Sequence, residues 1–132
     1  MAILDLRQEL SDQQDGGSFT TGVNASTNVI DTELANSNIG AGSPLRVNVT
    51  VGDEAVAGTS STVQAVLEHS TDNSTYVTLL AGVAIAEATL VVGAVMLRAV
   101  VPDNTFRYLR ISYTVGTADL SAGHFNADIG IQ

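Results

Sequence analysis

Between Phe106 and Val115 the side chains alternate: Leu109, Ile111, Tyr113 and Val115 fall on one face, and Arg110, Ser112 and Thr114 on the other. Period-two alternation marks a strand with one face buried. Leu45, Val47, Val49 and Val51 repeat the pattern against Arg46, Asn48 and Thr50, and Phe125, Ala127, Ile129 and Ile131 repeat it against His124, Asn126 and Asp128. Further strands are expected over Thr27–Ile30, Thr62–His69 (Val63, Ala65 and Leu67 on one face), Tyr76–Leu80, Val83–Leu90 and Val95–Val101. Turn chemistry separates them: Gly40-Ala41-Gly42-Ser43-Pro44, Asp72-Asn73-Ser74, Pro102-Asp103-Asn104 and Gly116-Thr117-Ala118-Asp119. No long segment of helical period interrupts the series, so its apolar faces can be buried only by packing sheet on sheet. About eight strands at roughly ten-residue spacing predict an all-β sandwich or barrel. Eight antiparallel strands suit a jelly-roll-type β-sandwich. An immunoglobulin-like sandwich has the same periodicity, but the chain has neither the Cys pair nor the Trp of true immunoglobulin domains.

A chain of 132 residues has the size of one domain with one modest core. Trp is absent and aromatics make up 5% of the chain, so that core is built mainly from Val, Leu, Ile and Ala. Charged residues make up only 14%, against about 25% in average proteins, and a sparsely charged surface suits lasting contact with neighbours. Fourteen acids face five bases, a formal net charge of −9. Such a chain repels phosphate backbones, which argues against nucleic acid as a partner. All five bases are arginine (Arg7, Arg46, Arg98, Arg107, Arg110). Genome composition explains the lack of Lys; so does a role for Arg in planar contacts to carboxylates at an interface, for which Arg7, Arg46 and Arg110 are the candidates. Without cysteine the chain forms no disulfide and no thiolate metal site, which fits a reducing cytoplasm. Met1 to Arg7 has neither the basic nor the apolar region of a secretory signal. Leu79 to Val101 is apolar and long enough to cross a bilayer, but Glu87, Arg98, Gly82 and Gly93 interrupt it; a hairpin turning at Gly93 is expected instead, and no membrane partner.

Residues 1–24 differ from the rest. Ile3, Leu4, Leu6 and Leu10 precede a polar, Gly-containing stretch broken by Phe19. A helix so short is marginal alone. The expectation is an extended N-terminal arm over 1–24, with Ile3, Leu4, Leu6, Leu10 and Phe19 as candidate interface residues, followed by a β-sandwich domain over 25–132. A frayed terminus is the other reading.

Catalytic chemistry finds no foothold. The two histidines, His69 at a strand end and His124 outward on the last strand, are expected to be solvated, and no nucleophile elbow or phosphate-binding Gly-rich loop with Lys occurs. Asp72 and Asn73 read as an Asx turn in preference to Ca²⁺ ligands. No enzyme activity, cofactor or metal is expected. Carbohydrate binding is the alternative function, since β-sandwiches serve as lectin-like modules. Its aromatic platform would have to come from Tyr76, Tyr108, Tyr113, Phe19, Phe106 and Phe125, most of them at core-facing positions.

Several segments, spread along almost the whole chain, carry a family likeness: Ile3-Leu4-Asp5 with Leu10-Ser11-Asp12, Ser26-Thr27-Asn28-Val29-Ile30-Asp31, Gly42-Ser43-Pro44-Leu45-Arg46-Val47, Ser70-Thr71-Asp72-Asn73-Ser74-Thr75-Tyr76, Arg107-Tyr108-Leu109-Arg110-Ile111-Ser112-Tyr113, and Ser121-Ala122-Gly123 with Ala127. In order and spacing these resemble the jelly-roll cement, or decoration, proteins on the capsids of tailed, especially short-tailed, bacteriophages. The stretches Thr32–Ala41 and Ile85–Ala94 depart from that pattern. The resemblance implies a structural virion protein on the outer capsid surface, made in the host cytoplasm. Its implied partners are neighbouring major capsid protein subunits, which it clamps, and itself, as a homodimer or alternatively a trimer. The negative charge agrees with a place away from packaged DNA.

Overall fold

The alternating segments form strands where their periodicity places them. The computed structural model describes residues 9–36, 45–102 and 105–131. Its strands are β1 (Glu9–Asp15), β2 (Gly22–Ala25), β3 (Ile30–Asn36), β4 (Leu45–Val51), β5 (Ala57–Gly58), β6 (Thr62–Ser70), β7 (Val77–Ala81), β8 (Ile85–Ala86), β9 (Val95–Val100), β10 (Phe106–Gly116), β11 (Leu120–Ala122) and β12 (His124–Ile131). The only helical elements among the described residues are two single 3-10 turns, Gly16–Ser18 and Glu87–Thr89.

One sheet runs β1-β12-β4-β9, and the other β2-β10-β6-β7, all antiparallel. β2 and β3 pair with successive stretches of β10, and β7 and β8 with successive stretches of β6, so each couple acts as one interrupted strand. Eight strands then remain, beside a small β5–β11 ribbon. The first half of the chain pairs with the second as a single long ribbon: β1 with β12, β2/β3 with β10, β4 with β9 and β6 with β7. That ribbon, rolled so that β12 meets β4 and β10 meets β6, is a jelly roll. The fold leaves immunoglobulin topology behind.

Inward residues of both sheets form one core. Val47, Val49 and Val51 of β4 and Phe125, Ala127 and Ile129 of β12 meet Val63, Ala65 and Leu67 of β6 and Leu109, Ile111, Tyr113 and Val115 of β10. Tyr113 stands at its centre, with its ring centroid 4.7 Å from Phe125 and 5.4 Å from Phe19. Its hydroxyl donates to Ser11 Oγ at 3.0 Å, and Ser11 donates to Gln14 Oε1 at 2.7 Å. Burial pushes the Tyr113 phenol well above its ordinary pKa, so the donor persists at all physiological pH.

Three sequence expectations are corrected here. The arm does not extend over 9–24. Leu10 and Phe19 are buried core residues, β1 is an edge strand paired with β12, and β2 already belongs to the second sheet. The polar residues that made this stretch look like a tail are those that irregular β1 needs. It is bulged twice, and at the second bulge Gln13 turns to φ 48°, its N–H held by Asn126 Oδ1 at 2.7 Å and its side-chain oxygen accepting from Asp53 N. Residues 1–8, with Ile3, Leu4, Leu6 and Arg7, lie outside the described residues, as does the breaker cluster 40–44. Second, Leu79–Val101 is not a hairpin: β8 pairs with β6 and β9 with β4, so the segment crosses from one sheet to the other. Most of Val83–Leu90 is a two-residue strand and a 3-10 turn. Third, Thr27–Val29 is not strand; it bridges the sheets, with Asn28 N donating to Leu10 O at 2.9 Å, and β3 begins at Ile30.

Because Phe19 is buried against the rings of both Tyr113 and Phe125, Phe19→Ala should lower unfolding free energy by about 3–5 kcal/mol in denaturant titration. A loss below about 1 kcal/mol would restore the detached arm.

Candidate protein interface

The arginines proposed from sequence are placed as follows. Arg110, on β10, donates to Glu68 of β6 at 2.8 Å, and its guanidinium lies 3.9 Å above the ring centre of Tyr76. Arg46, half-buried on β4, sits opposite Val100 on β9 and Gly130 on β12. The planar two-point carboxylate contact anticipated for an interface occurs within the molecule, between Arg107 and Asp31 at 2.7 and 3.0 Å. The structure therefore gathers neither the arm residues nor the arginines into one exposed patch among the described residues.

The aromatics are similarly engaged. Phe19, Tyr113 and Phe125 are interior, Phe106 stacks on His69 with ring centres 4.1 Å apart, and Tyr76 lies beneath Arg110. Tyr108, half-buried, has the Arg107 guanidinium 5.0 Å from its ring centre. Asp72 forms the expected Asx turn, accepting from Ser74 and Thr75 N–H groups, both at 2.9 Å, and these bonds lower its pKa. Among the described residues, no three His, Cys, Asp or Glu side chains meet as metal ligands would.

What sequence reasoning missed is an apolar flank. Eight large apolar residues are exposed among the described residues, and six of them (Val77, Val83, Val91, Val92, Val95 and Val100) lie between Val77 and Pro102. They follow β7 and β9, the edge strands on the same side of the two sheets, and the chain that links them. In those 26 residues there is one acid, Glu87, and one base, Arg98, so the segment is neutral and the whole formal charge of −9 resides elsewhere. No helix of the described chain is long and apolar enough to cross a membrane. The signal was present in the sequence: Val100-Val101 is an adjacent pair at a strand end, of which a strand must send one outward, and Val91-Val92 stands beside the turn expected at Gly93. Met96 and Leu97 are both buried because a bulge in β9, opposite Val49 and Thr50, inserts one extra residue. Exposed large apolar residues gathered in one segment, beyond the scattered singles normal on a surface, point to a protein-interaction site.

The histidines correct the expectation of two solvated rings. His69 is buried, and its Nδ1 accepts the Phe106 backbone N–H at 3.1 Å, tying the end of β6 to the start of β10. Desolvation lowers its pKa. His124 does face outward, but it pairs with Asp53, whose hydrogen bond raises its pKa. The signs oppose. The His69 contribution is complete above its unfolded pKa of about 6.5 and is lost as pH falls through the lower folded value, whereas that of His124 is complete below about 6.5 and is lost as pH rises through the higher folded value. Glutamine at position 69 keeps an acceptor without a titration, so the melting temperature of His69→Gln should fall less than that of the native chain between pH 7 and pH 5; parallel slopes would contradict this role.

With the geometry established, comparison with known proteins adds one relation. No curated protein matches the chain. The model of the Bbp16 family matches residues 13–129, from the second bulge of β1 to near the end of β12. That match spans both sheets, and the chain accordingly belongs to the phage-associated Bbp16 family.

Proposed function

We propose that this protein is a capsid cement, or decoration, protein that sits on the outer surface of the phage shell and clamps neighbouring major capsid subunits. The observation that carries the reading is the neutral valine flank on an otherwise acidic jelly roll. Exposed valines at the edges of both sheets cost solubility in a free protein and are explained by a protein surface that covers them. The phage association of the family and the likeness to jelly-roll decoration proteins support the same reading. The net charge favours the outer face, away from packaged DNA.

A cement protein works by number. One interface of standard size, about 1,000–2,000 Å², binds modestly, but many copies bridging subunit junctions act together. The protein contributes a rigid sandwich, and bracing requires only that both contacts of a clamp bind one body. Self-association as a dimer belongs to the same reading and extends the span of each clamp.

Phage particles assembled without this chain should crack at a lower temperature, or after milder chelator or denaturant stress, than complete particles, and purified protein added back should restore the difference. Equal stability of the two particle types would contradict the cement role.

A further inference from the structure

At one end of the sandwich the valine flank meets an acidic corner, and the two are built as one surface. Val91 to Ala94 is a tight turn: Ala94 N donates to Val91 O at 3.0 Å, and Gly93 takes φ +83°, as the third position of a type II turn requires. A Cβ on Gly93 would meet nothing within 4 Å, so the glycine serves the turn and not packing. The turn is anchored to β4 by Val51 N donating to Ala94 O at 2.8 Å and Gly93 N donating to Val51 O at 3.1 Å. A rigid turn therefore projects Val91 and Val92, 57% and 59% exposed, with Val95 beside them at 46%. Turn tips are ordinarily polar; this one has no polar side chain.

Two and three residues beyond Val51 stand Asp53 and Glu54, both exposed. His124 lies against them. Its N–H donates to Glu54 O at 3.1 Å, Gly52 N donates to its carbonyl at 2.6 Å, and its ring pairs with Asp53. Glu54 also accepts from Gly123 N at 2.9 Å, which fixes its carboxylate, and Asp15 is the register partner of His124 across the β1–β12 ladder. Three carboxylates thus surround one imidazole, and all three raise its pKa, as a locally negative field must. Even with the imidazole protonated, the corner keeps an excess of negative charge beside the valine turn.

We infer that this end of the molecule, the Val91–Val95 turn with the Asp15, Asp53 and Glu54 corner, is the docking tip, and that it fits an apolar hollow rimmed by Arg or Lys on a partner protein. An apolar projection fits a hollow, and the acids beside it select a basic rim and reject an acidic one. A second copy of this chain is a poor occupant because its own acids would meet the same corner. The inference rests on the cement reading and assigns the surface that touches the shell.

The test uses shells purified from a phage deleted for this chain and the full-length protein added back, with binding measured by co-sedimentation. Native protein should bind, and binding should weaken as salt rises from about 0.05 to 0.5 M, because screening shortens the reach of the acidic corner. The double variant Val91→Ser with Val92→Ser should bind roughly tenfold or more weakly, with unchanged circular dichroism. Val23→Ser, which removes an equally exposed valine from β2 on the opposite edge, should bind as the native protein does. Asp53→Asn, which keeps an acceptor for His124, should flatten the salt dependence. Undiminished binding by the double variant would overturn the docking tip and leave the cement reading intact. Salt-independent binding by native protein would overturn the basic rim. Loss of self-association in place of shell binding would assign the tip to a second copy and overturn the inference. Failure of native protein to bind any shell would overturn both this inference and the reading on which it rests.

Discussion

Tyr113 holds the two sheets and the N-terminal strand in one arrangement. Its ring packs against both Phe19 and Phe125, which also stack on each other at 5.5 Å, and its hydroxyl reaches Ser11 on β1. Valine and leucine make up most of the core and only three aromatic rings join it, so this aromatic group carries a large share of the contact between the sheets. Gly16 is part of the same fit: a Cβ there would fall 2.4 Å from the Phe125 ring. The polar chain continues from Ser11 to Gln14, whose amide donates to Ala25 O at 3.0 Å and whose oxygen accepts from Thr27 N at 2.9 Å. One buried hydroxyl thereby fixes both β1 and the crossover from β2 to β3. Among the described residues, no buried side-chain polar atom lacks a partner, and a fully satisfied polar network of this kind stiffens the core around it.

The two sides of the sandwich are treated differently. On one side β1 is bulged twice and carries Glu9, Asp12 and Asp15, features that blunt an edge against pairing with another chain. On the other side β7 and β9 bear valines and a single charge, Arg98, which donates to Asn48 Oδ1 at 2.9 Å. A chain of net charge −9 repels copies of itself over most of its surface. On the proposed reading, contact with a neighbour is therefore directed toward the neutral flank.

The fold was legible where strands are half-buried. The alternation along β4, β10 and β12 named the inward residues correctly because one face is core and the other is not: Val47, Val49, Leu109, Ile111, Phe125 and Ala127 are all buried. It failed where regular pairing breaks. In β1, bulges bury Leu10 and Ser11 in succession, so the segment lacks a clean period and resembles a tail. In β9 a bulge does the same to Met96 and Leu97. Ser112, on the outer side of β10, is buried although alternation places it outward; it lies between Val66 of β6 and Ala25 of β2 on a central strand. The flank was visible as a run of valine without charge, but the density of apolar residues in such a run is the same whether its outer half meets core, lipid or a partner. Only the pairing of β8 with β6 and of β9 with β4 shows that half of it has no cover.

The central claim is that this jelly roll braces a phage shell from outside through its neutral flank. A reconstruction of the native particle tests it directly. The sandwich should appear as density outside the shell at subunit junctions, with the segment Val77–Pro102 and the adjoining acidic corner turned toward the capsid protein. Density on the inner face, or an outer position with those valines open to solvent, would contradict it.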